Sequence, residues 1–146
     1  MIACDAHMHT RFSEDSDASV HSMLDAAVNK GMQAVCITDH LDKDFPETPD
    51  FPAGAFMFDL DEYFSRLTQL KTEYQKKLEV RIGVEIGLQP HLGEYYKELT
   101  EKYPFDFVDR FNTPYPWTGS VLSWYFLKDE VMRRLIMKHF RWQLKT

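Results

Sequence analysis

The chain has 146 residues, of which 44% are hydrophobic and 27% are charged, and its formal net charge is −6. These values are typical of one globular domain, and no apolar run approaches the roughly 20 residues that cross a bilayer. Since no charged-then-apolar leader precedes the first apolar run, a cytoplasmic protein with no membrane partner is expected. No nucleic-acid partner is expected either, because an acidic protein repels phosphates. Cys4 and Cys36 belong to no C-x-x-C pair, so both are interpreted as small buried residues in a reducing compartment.

The first part of the chain predicts strand, helix and strand. The short apolar run MIACDA (1–6) is typical of a buried strand. Apolar residues then recur on one face of a helix, namely Val20, Met23, Leu24, Ala27 and Val28. Gly31 ends that helix, and AVCITD (34–39) predicts the second strand.

The next part predicts a loop, a long helix and a third strand. Three prolines disfavour regular structure between residues 46 and 52. Asp59 is the predicted N-cap of the helix, and Glu62 completes a capping-box pattern. The apolar stripe of this helix comprises Leu60, Phe64, Leu67, Leu70, Tyr74 and Leu78. EVRIGVEIG (79–87) alternates apolar and polar residues, which predicts a strand whose polar side carries Arg81, Gly83 and Glu85.

A third helix is predicted from His91 to about Tyr103, and FDFV (105–108) begins a fourth strand. The order β-α-β-α-β-α-β predicts an α/β fold of parallel strands joined by right-handed crossovers. That order fits either a doubly wound sheet or an arc of a barrel.

Residues suited to metal binding follow three of the predicted strands. Asp5, His7 and His9 lie at the end of the first, Asp39 and His40 at the end of the second, and Glu85 in the third. The carboxyl ends of parallel strands form the ligand-binding edge of such folds. Imidazole suits zinc, iron or manganese, and a carboxylate can bridge two ions.

Each of these features alone has a simpler interpretation. The H-x-H pair could be two surface histidines, Asp39 could cap a turn, and Glu85 could be a solvated residue of a half-exposed strand. Their recurrence in successive βα units favours a shared site. A glycine-rich phosphate loop does not accompany them in the sequence, which disfavours a nucleotide-binding sheet.

Four motifs resemble one known family. DAHMHT, FSEDS, ITDHLD and GVEIGLQPH, in this order and spacing, are similar to the polymerase-and-histidinol-phosphatase (PHP) superfamily, and most similar to its histidinol-phosphatase branch. The resemblance covers residues 1–108 and implies the N-terminal part of a distorted seven-stranded (β/α) barrel. It also implies up to three divalent metals (zinc, manganese or iron) and hydrolysis of a small phosphorylated substrate, L-histidinol phosphate, in histidine synthesis.

The resemblance also implies roles for single residues. His7 and His9 would bind a first metal, Glu85 would bridge it to a second, and His40 would bind a third together with Asp15. Asp5 would not bind a metal itself, but would contact one of the ligand histidines, orient its ring and fix its tautomer. No side chain is implied as a nucleophile, since a water activated by the metals would attack phosphorus.

Other polar residues near these motifs are given no catalytic role. Ser13 and Ser16 are interpreted as loop or capping residues, and His21 is expected on the solvated side of the first helix. His91 matches a family position, and either a structural role or a substrate contact fits it.

The sequence changes character after residue 108. Residues 1–108 hold 10 Lys+Arg and 20 Asp+Glu, a net of −10, whereas residues 109–146 hold 7 and 3, a net of +4, which together give −6. All three tryptophans lie in the second part, and the family's next Ser-x-His motif is missing there. The segment fits a basic aromatic nucleic-acid binder, a helical cap on an open sheet edge, or a tail that is not native coding sequence.

We favour the third interpretation, in which residues 109–146 arise from shifted reading frames. DRFNTPYPWTGSVLSWY can be encoded so that reading one base later gives IDSTHLIHGQDPYYPG, which restores a Ser-x-His motif after FDFV. The chain is then expected to be a partial barrel (1–108) with an atypical tail (109–146), little phosphatase activity and weak metal retention. Two alternatives remain open, namely another phosphoesterase acting on phosphotyrosine or nucleic-acid ends, and a non-catalytic remnant. The oligomeric state is left open.

Overall fold

The computed structural model describes residues 4–112, with the side chains of Pro90, Phe111 and Asn112 excepted. Within this range, strands and helices alternate along the chain. They are β1 (Cys4–Met8), α1 (Val20–Asn29), β2 (Ala34–Ile37), α2 (Leu60–Tyr74), β3 (Glu79–Leu88), a 3-10 turn (Pro90–Leu92), α3 (Gly93–Lys102) and β4 (Phe107–Asn112). Among these helices, none has the length and apolar character that crossing a bilayer requires.

The sheet decides between the two architectures that the sequence left open. All three strand pairs are parallel, and the spatial order is β1-β2-β3-β4. A doubly wound sheet reverses its strand order at a switch point, whereas an order that follows the chain is that of a barrel arc. The predicted α/β fold, an incomplete barrel of parallel strands, is confirmed.

The helix ends follow the predicted local chemistry. At the start of α2, the Asp59 carboxylate accepts hydrogen bonds from the amides of Asp61 (2.8 Å) and Glu62 (3.1 Å), which satisfies two donors that the first turn leaves unpaired. At the start of α1, Ser19 is an N-cap that the sequence analysis does not predict, and its side chain accepts a hydrogen bond from the amide of Ser22. After α1, Gly31 has a φ of 70°, the left-handed conformation that glycine adopts at little cost.

The strand β3 is not the half-exposed strand of the simpler interpretation of Glu85. Gly83, Glu85 and the apolar residues beside them are buried, so both faces of its second half lie inside the protein. A Cβ atom on Gly83 would lie 2.9 Å from Cys36 Sγ and 3.0 Å from the carbonyl oxygens of Ile37 and Phe107. The alternation therefore reflects close packing of neighbouring strands rather than exposure to water. Cys36 is buried as expected, but Cys4 is only half-buried.

The helix α2 packs on the sheet through a residue that the predicted apolar stripe omitted. Tyr63 is fully buried, and its hydroxyl donates a 3.0 Å hydrogen bond to the carbonyl of Gly83. Phe64, which the stripe included, is only partly buried and stacks on Tyr103. The hydroxyl makes Tyr63 look amphipathic in the sequence, whereas a backbone carbonyl satisfies it in the core.

The element bounds move by a few residues from their predicted positions. β1 extends beyond MIACDA to Met8, and the predicted third helix divides into the 3-10 turn and α3. β4 ends at Asn112, past the predicted boundary at residue 108. The interpretations of the tail concern residues that lie mainly beyond 112, including all three tryptophans, and so fall outside the described residues.

Candidate metal centre

The histidines of the first motif lie beside an irregularity in β1. Asp5 pairs with Val35 and Met8 pairs with Ile37, so β1 has one more residue than β2 between these two pairs. An extra residue in one strand is a β-bulge, which changes the direction in which the neighbouring side chains point. The rings of His7 and His9 lie with their centroids 4.6 Å apart at the carboxyl end of the strand.

Glu85 is held at the middle of the same edge by its backbone. Its amide donates to the carbonyl of Asp39 (3.0 Å), and its carbonyl accepts from the amide of Leu41 (2.7 Å). These bonds continue the pairing of β2 with β3 beyond the end of β2, with His40 opposite Glu85. The Glu85 side chain is only 10% exposed. Its carboxylate is therefore buried among the polar side chains at this edge of the sheet.

Three imidazoles converge on this carboxylate. The Nε2 atoms of His7, His9 and His40 lie 3.3, 2.9 and 3.7 Å from Glu85 Oε2. The Nδ1 atom of each ring faces a different aspartate: Asp109 at 2.9 Å, Asp15 at 2.8 Å and Asp42 at 3.1 Å. Each histidine therefore directs one nitrogen into the cluster and has the other against a carboxylate.

The carboxylates shift the proton affinity of the rings. The hydrogen bond to Glu85, opposed by burial and assisted by Asp15, raises the pKa of His9 from 6.5 to about 9. Burial lowers the pKa of His40, but the nearby Asp42 and Glu85 carboxylates outweigh it, and the pKa is raised. Burial raises the pKa of the Asp15 carboxyl, yet hydrogen bonds from His9 and Ser13 leave it lowered. The same carboxylates that favour a proton on His9 would also favour a bound cation.

Three hydrogen-bonded contacts, two through serines and one through Asp39, hold the loop after β1 in place. The Ser13 hydroxyl accepts a 2.8 Å hydrogen bond from the amide of His40, and the Ser16 hydroxyl donates to the carbonyl of His9 (3.3 Å). Asp39 is fully buried and accepts hydrogen bonds from the amide and the hydroxyl of Thr10. Burial raises the pKa of Asp39 to about 6, although the bonds from Thr10 oppose the shift. The two serines and Asp39 thus position the loop that carries Asp15.

Not every residue singled out in the sequence lies in the cluster. Asp5 accepts a 3.2 Å hydrogen bond from the backbone amide of His7, a contact to the main chain rather than to an imidazole. His91 is exposed and its Nε2 lies 2.9 Å from Asp44, on the loop after β2. His21 is exposed on α1, as expected, with its ring against Tyr74 of α2.

Two aspartates of the cluster were missed by the sequence interpretation. Asp42 follows His40 by two positions, and its acidic side chain at that spacing was an available signal. The change in composition after residue 108 places Asp109 in the predicted atypical tail. Its contact with His7 joins residues 102 positions apart, and nothing in the local sequence indicates it.

The donor set fits a divalent transition metal. One group of possible ligands comprises His7, His9 and Glu85, and a second comprises His9, Asp15 and His40; in each group the ligand atoms lie within 4.8 Å of one another. Mixed imidazole and carboxylate ligands suit zinc, manganese and iron. Four carboxylates (Asp15, Asp42, Glu85 and Asp109) surround the rings, so the charge of the cluster also favours a cation.

Comparisons with known proteins agree with this geometry. The chain is 32% identical over 108 residues to the histidinol-phosphatase of Lactococcus lactis subsp. lactis, covering 74% of this chain and 38% of that protein. It is 28% identical over 130 residues to the histidinol-phosphatase of Bacillus subtilis, covering 86% of this chain and 45% of that protein.

A solved structure shares the fold. The crystal structure of histidinol phosphate phosphatase from Lactococcus lactis subsp. lactis, complexed with zinc, L-histidinol and phosphate, superposes with a TM-score of 0.70 and 29% sequence identity. The match covers 78% of this chain and 41% of that one. The chain thus spans about two fifths of the length of the relatives it matches.

The sequence model of the family described as "PHP domain" matches residues 5–145. That range includes every residue of the cluster and extends past the boundary that composition predicts at residue 108. The predicted family is therefore confirmed, and the chain belongs to the PHP domain family.

Proposed function

We propose that the chain forms the metal-binding edge of a phosphomonoester hydrolase whose substrate is L-histidinol phosphate. The observation that carries the proposal is the convergence of three imidazole Nε2 atoms on the buried Oε2 atom of Glu85. The substrate is inferred from the named relatives and from the solved complex with L-histidinol and phosphate.

In this proposal the cluster holds zinc, manganese or iron, through His7, His9, His40, Glu85 and Asp15. When bound, such cations activate water and stabilise charge on the oxygens of a transferring phosphoryl group. Glu85 supplies a negative charge between the rings, and its burial keeps water from screening that charge. Asp15 faces His9 at 2.8 Å and His40 at 3.6 Å, so it lies where it can serve a second cation.

Asp42, which lies 3.1 Å from Nδ1 of His40, supplies orientation. A carboxylate on Nδ1 leaves Nε2 free of its proton and directs it inward, and it raises the basicity of the ring. Burial holds Asp42 in place behind His40, since only 1% of its side chain is exposed. The residues of this chain thus bind and orient, and none is proposed as a covalent nucleophile.

The test begins with metal analysis and phosphate release from L-histidinol phosphate, phosphotyrosine and 3′-phosphorylated DNA. Preference for L-histidinol phosphate supports the proposal. Preference for either other compound would show the proposed substrate to be wrong but would leave the proposed metal-dependent hydrolysis in place. A protein that binds no metal would be the non-catalytic remnant. For the chain by itself we expect slow turnover, because loss of one ligand or its supporting partner typically costs 10–100-fold. Turnover as fast as that of a relative would contradict this expectation.

A further inference from the structure

Asp109 lies at the position where the sequence departs from the family resemblance, yet its side chain belongs to the cluster. It pairs in register with Glu85 across the adjacent parallel strands β3 and β4. Register partners project from the same face of a sheet, so the Asp109 and Glu85 side chains lie beside each other. His7 contacts both of them.

The two oxygens of Asp109 have different partners. Oδ1 accepts a 2.8 Å hydrogen bond from the backbone amide of Arg110, and Oδ2 lies 2.9 Å from Nδ1 of His7. The other ring nitrogen of His7, Nε2, lies 3.3 Å from Glu85. Because the first bond fixes the carboxylate, the second can fix the ring.

We propose that Asp109 is a positioning residue, which accepts the Nδ1–H of His7 and thereby makes Nε2 the nitrogen that binds a divalent cation. The inference rests on the metal site proposed above. His7 has the greatest need of such a partner, because its side chain is 46% exposed, whereas those of His9 and His40 are 15% and 16% exposed. Packing therefore restrains the His7 ring less than the other two rings, and a hydrogen bond to the Asp109 carboxylate supplies the restraint that packing does not.

The first experiment compares zinc affinity in four proteins: wild type, Asp109→Ala, Asp109→Asn and Asp17→Asn. Asp17 is exposed in the loop that carries Asp15, so its substitution removes one negative charge without removing the partner of His7. We expect Asp109→Ala to bind zinc about 10–100-fold more weakly, as for other partners of metal-bound histidines. Asp109→Asn keeps an acceptor oxygen and should lose less, while Asp17→Asn should resemble wild type. Competition with a chromophoric chelator measures the affinities, and urea unfolding of the metal-free proteins shows that each one folds.

The second experiment examines the His7 ring by nitrogen-15 NMR of the zinc-loaded proteins. In wild type and Asp109→Asn, zinc should lie on Nε2 and the Nδ1–H proton should exchange slowly with water; in Asp109→Ala that proton should exchange rapidly. Zinc on Nδ1 of His7 overturns the proposal, as does equally tight binding in all four proteins. Absence of zinc binding in all four proteins overturns the metal site itself, so the two failures are distinguishable.

Discussion

The Nε2 atom of His9 lies 2.9 Å from the Oε2 atom of Glu85, although 76 positions separate the two residues along the chain. Parallel strands with crossover helices produce this contact, since each strand delivers its carboxyl end to the same edge. The metal-free cluster is therefore held together by contacts between carboxylates and imidazole rings, and its behaviour should change when a member of either kind is removed.

Substitution of Glu85 by Gln should weaken zinc binding at least 10-fold, because it removes the buried charge that three imidazoles face. Glu79→Gln is the matched control, since Glu79 begins the same strand, is exposed and contacts Arg81. Competition with a chelator measures the zinc affinity of each variant. Equal affinities in the two variants would exclude Glu85 as a ligand.

The stability of the metal-free protein should fall as pH rises from 6.5 to about 9. The bond to Glu85, opposed by burial, raises the pKa of His9 from 6.5 to about 9. A raised folded-state pKa stabilises the fold fully below the unfolded value, and this contribution is lost as pH rises through the folded value. Urea unfolding in the presence of a chelator measures the profile.

His9→Asn should reduce that slope without abolishing it, because the pKa of His40 is raised in the same direction. A profile in His9→Asn as steep as that of wild type would show that His9 is not protonated in the metal-free cluster.

Gly83→Ala should destabilise the protein by about 1–3 kcal/mol, as overpacking of a core does. The added methyl group would meet carbonyl oxygens of Ile37 and Phe107, at 3.0 Å each, and neither backbone can turn aside as a side chain could. Gly93→Ala is the control, since a Cβ there has no atom within 4 Å and the residue begins α3. We expect its free energy of unfolding to be unchanged or slightly higher. If the two variants unfold at the same urea concentration, the close approach of the strands does not explain why position 83 is a glycine.

Sequencing the gene through the codons for Val108 and Asp109 tests the prediction of shifted reading frames for residues 109–146. We expect an alternative frame to restore the Ser-x-His motif after FDFV. DNA that encodes this tail, with no such motif in either alternative frame, would show the prediction to be wrong. The contact of Asp109 with His7 is a property of the chain in either case.

The sequence alone determined the order and type of the elements, because the period of apolar residues differs between helices and strands. The sequence also indicated His7, His9, His40 and Glu85, which lie at or near the carboxyl ends of successive strands, and the family resemblance added Asp15 from the loop after β1. The tertiary structure decided what local pattern could not express. It placed Tyr63 in the core by pairing its hydroxyl with the carbonyl of Gly83, and it buried the second half of β3 on both faces. It also gave each imidazole its own aspartate, including Asp109 from beyond the predicted boundary. Such contacts depend on strand register across long chain separations, and a one-residue difference in register would direct these side chains to the other face of the sheet.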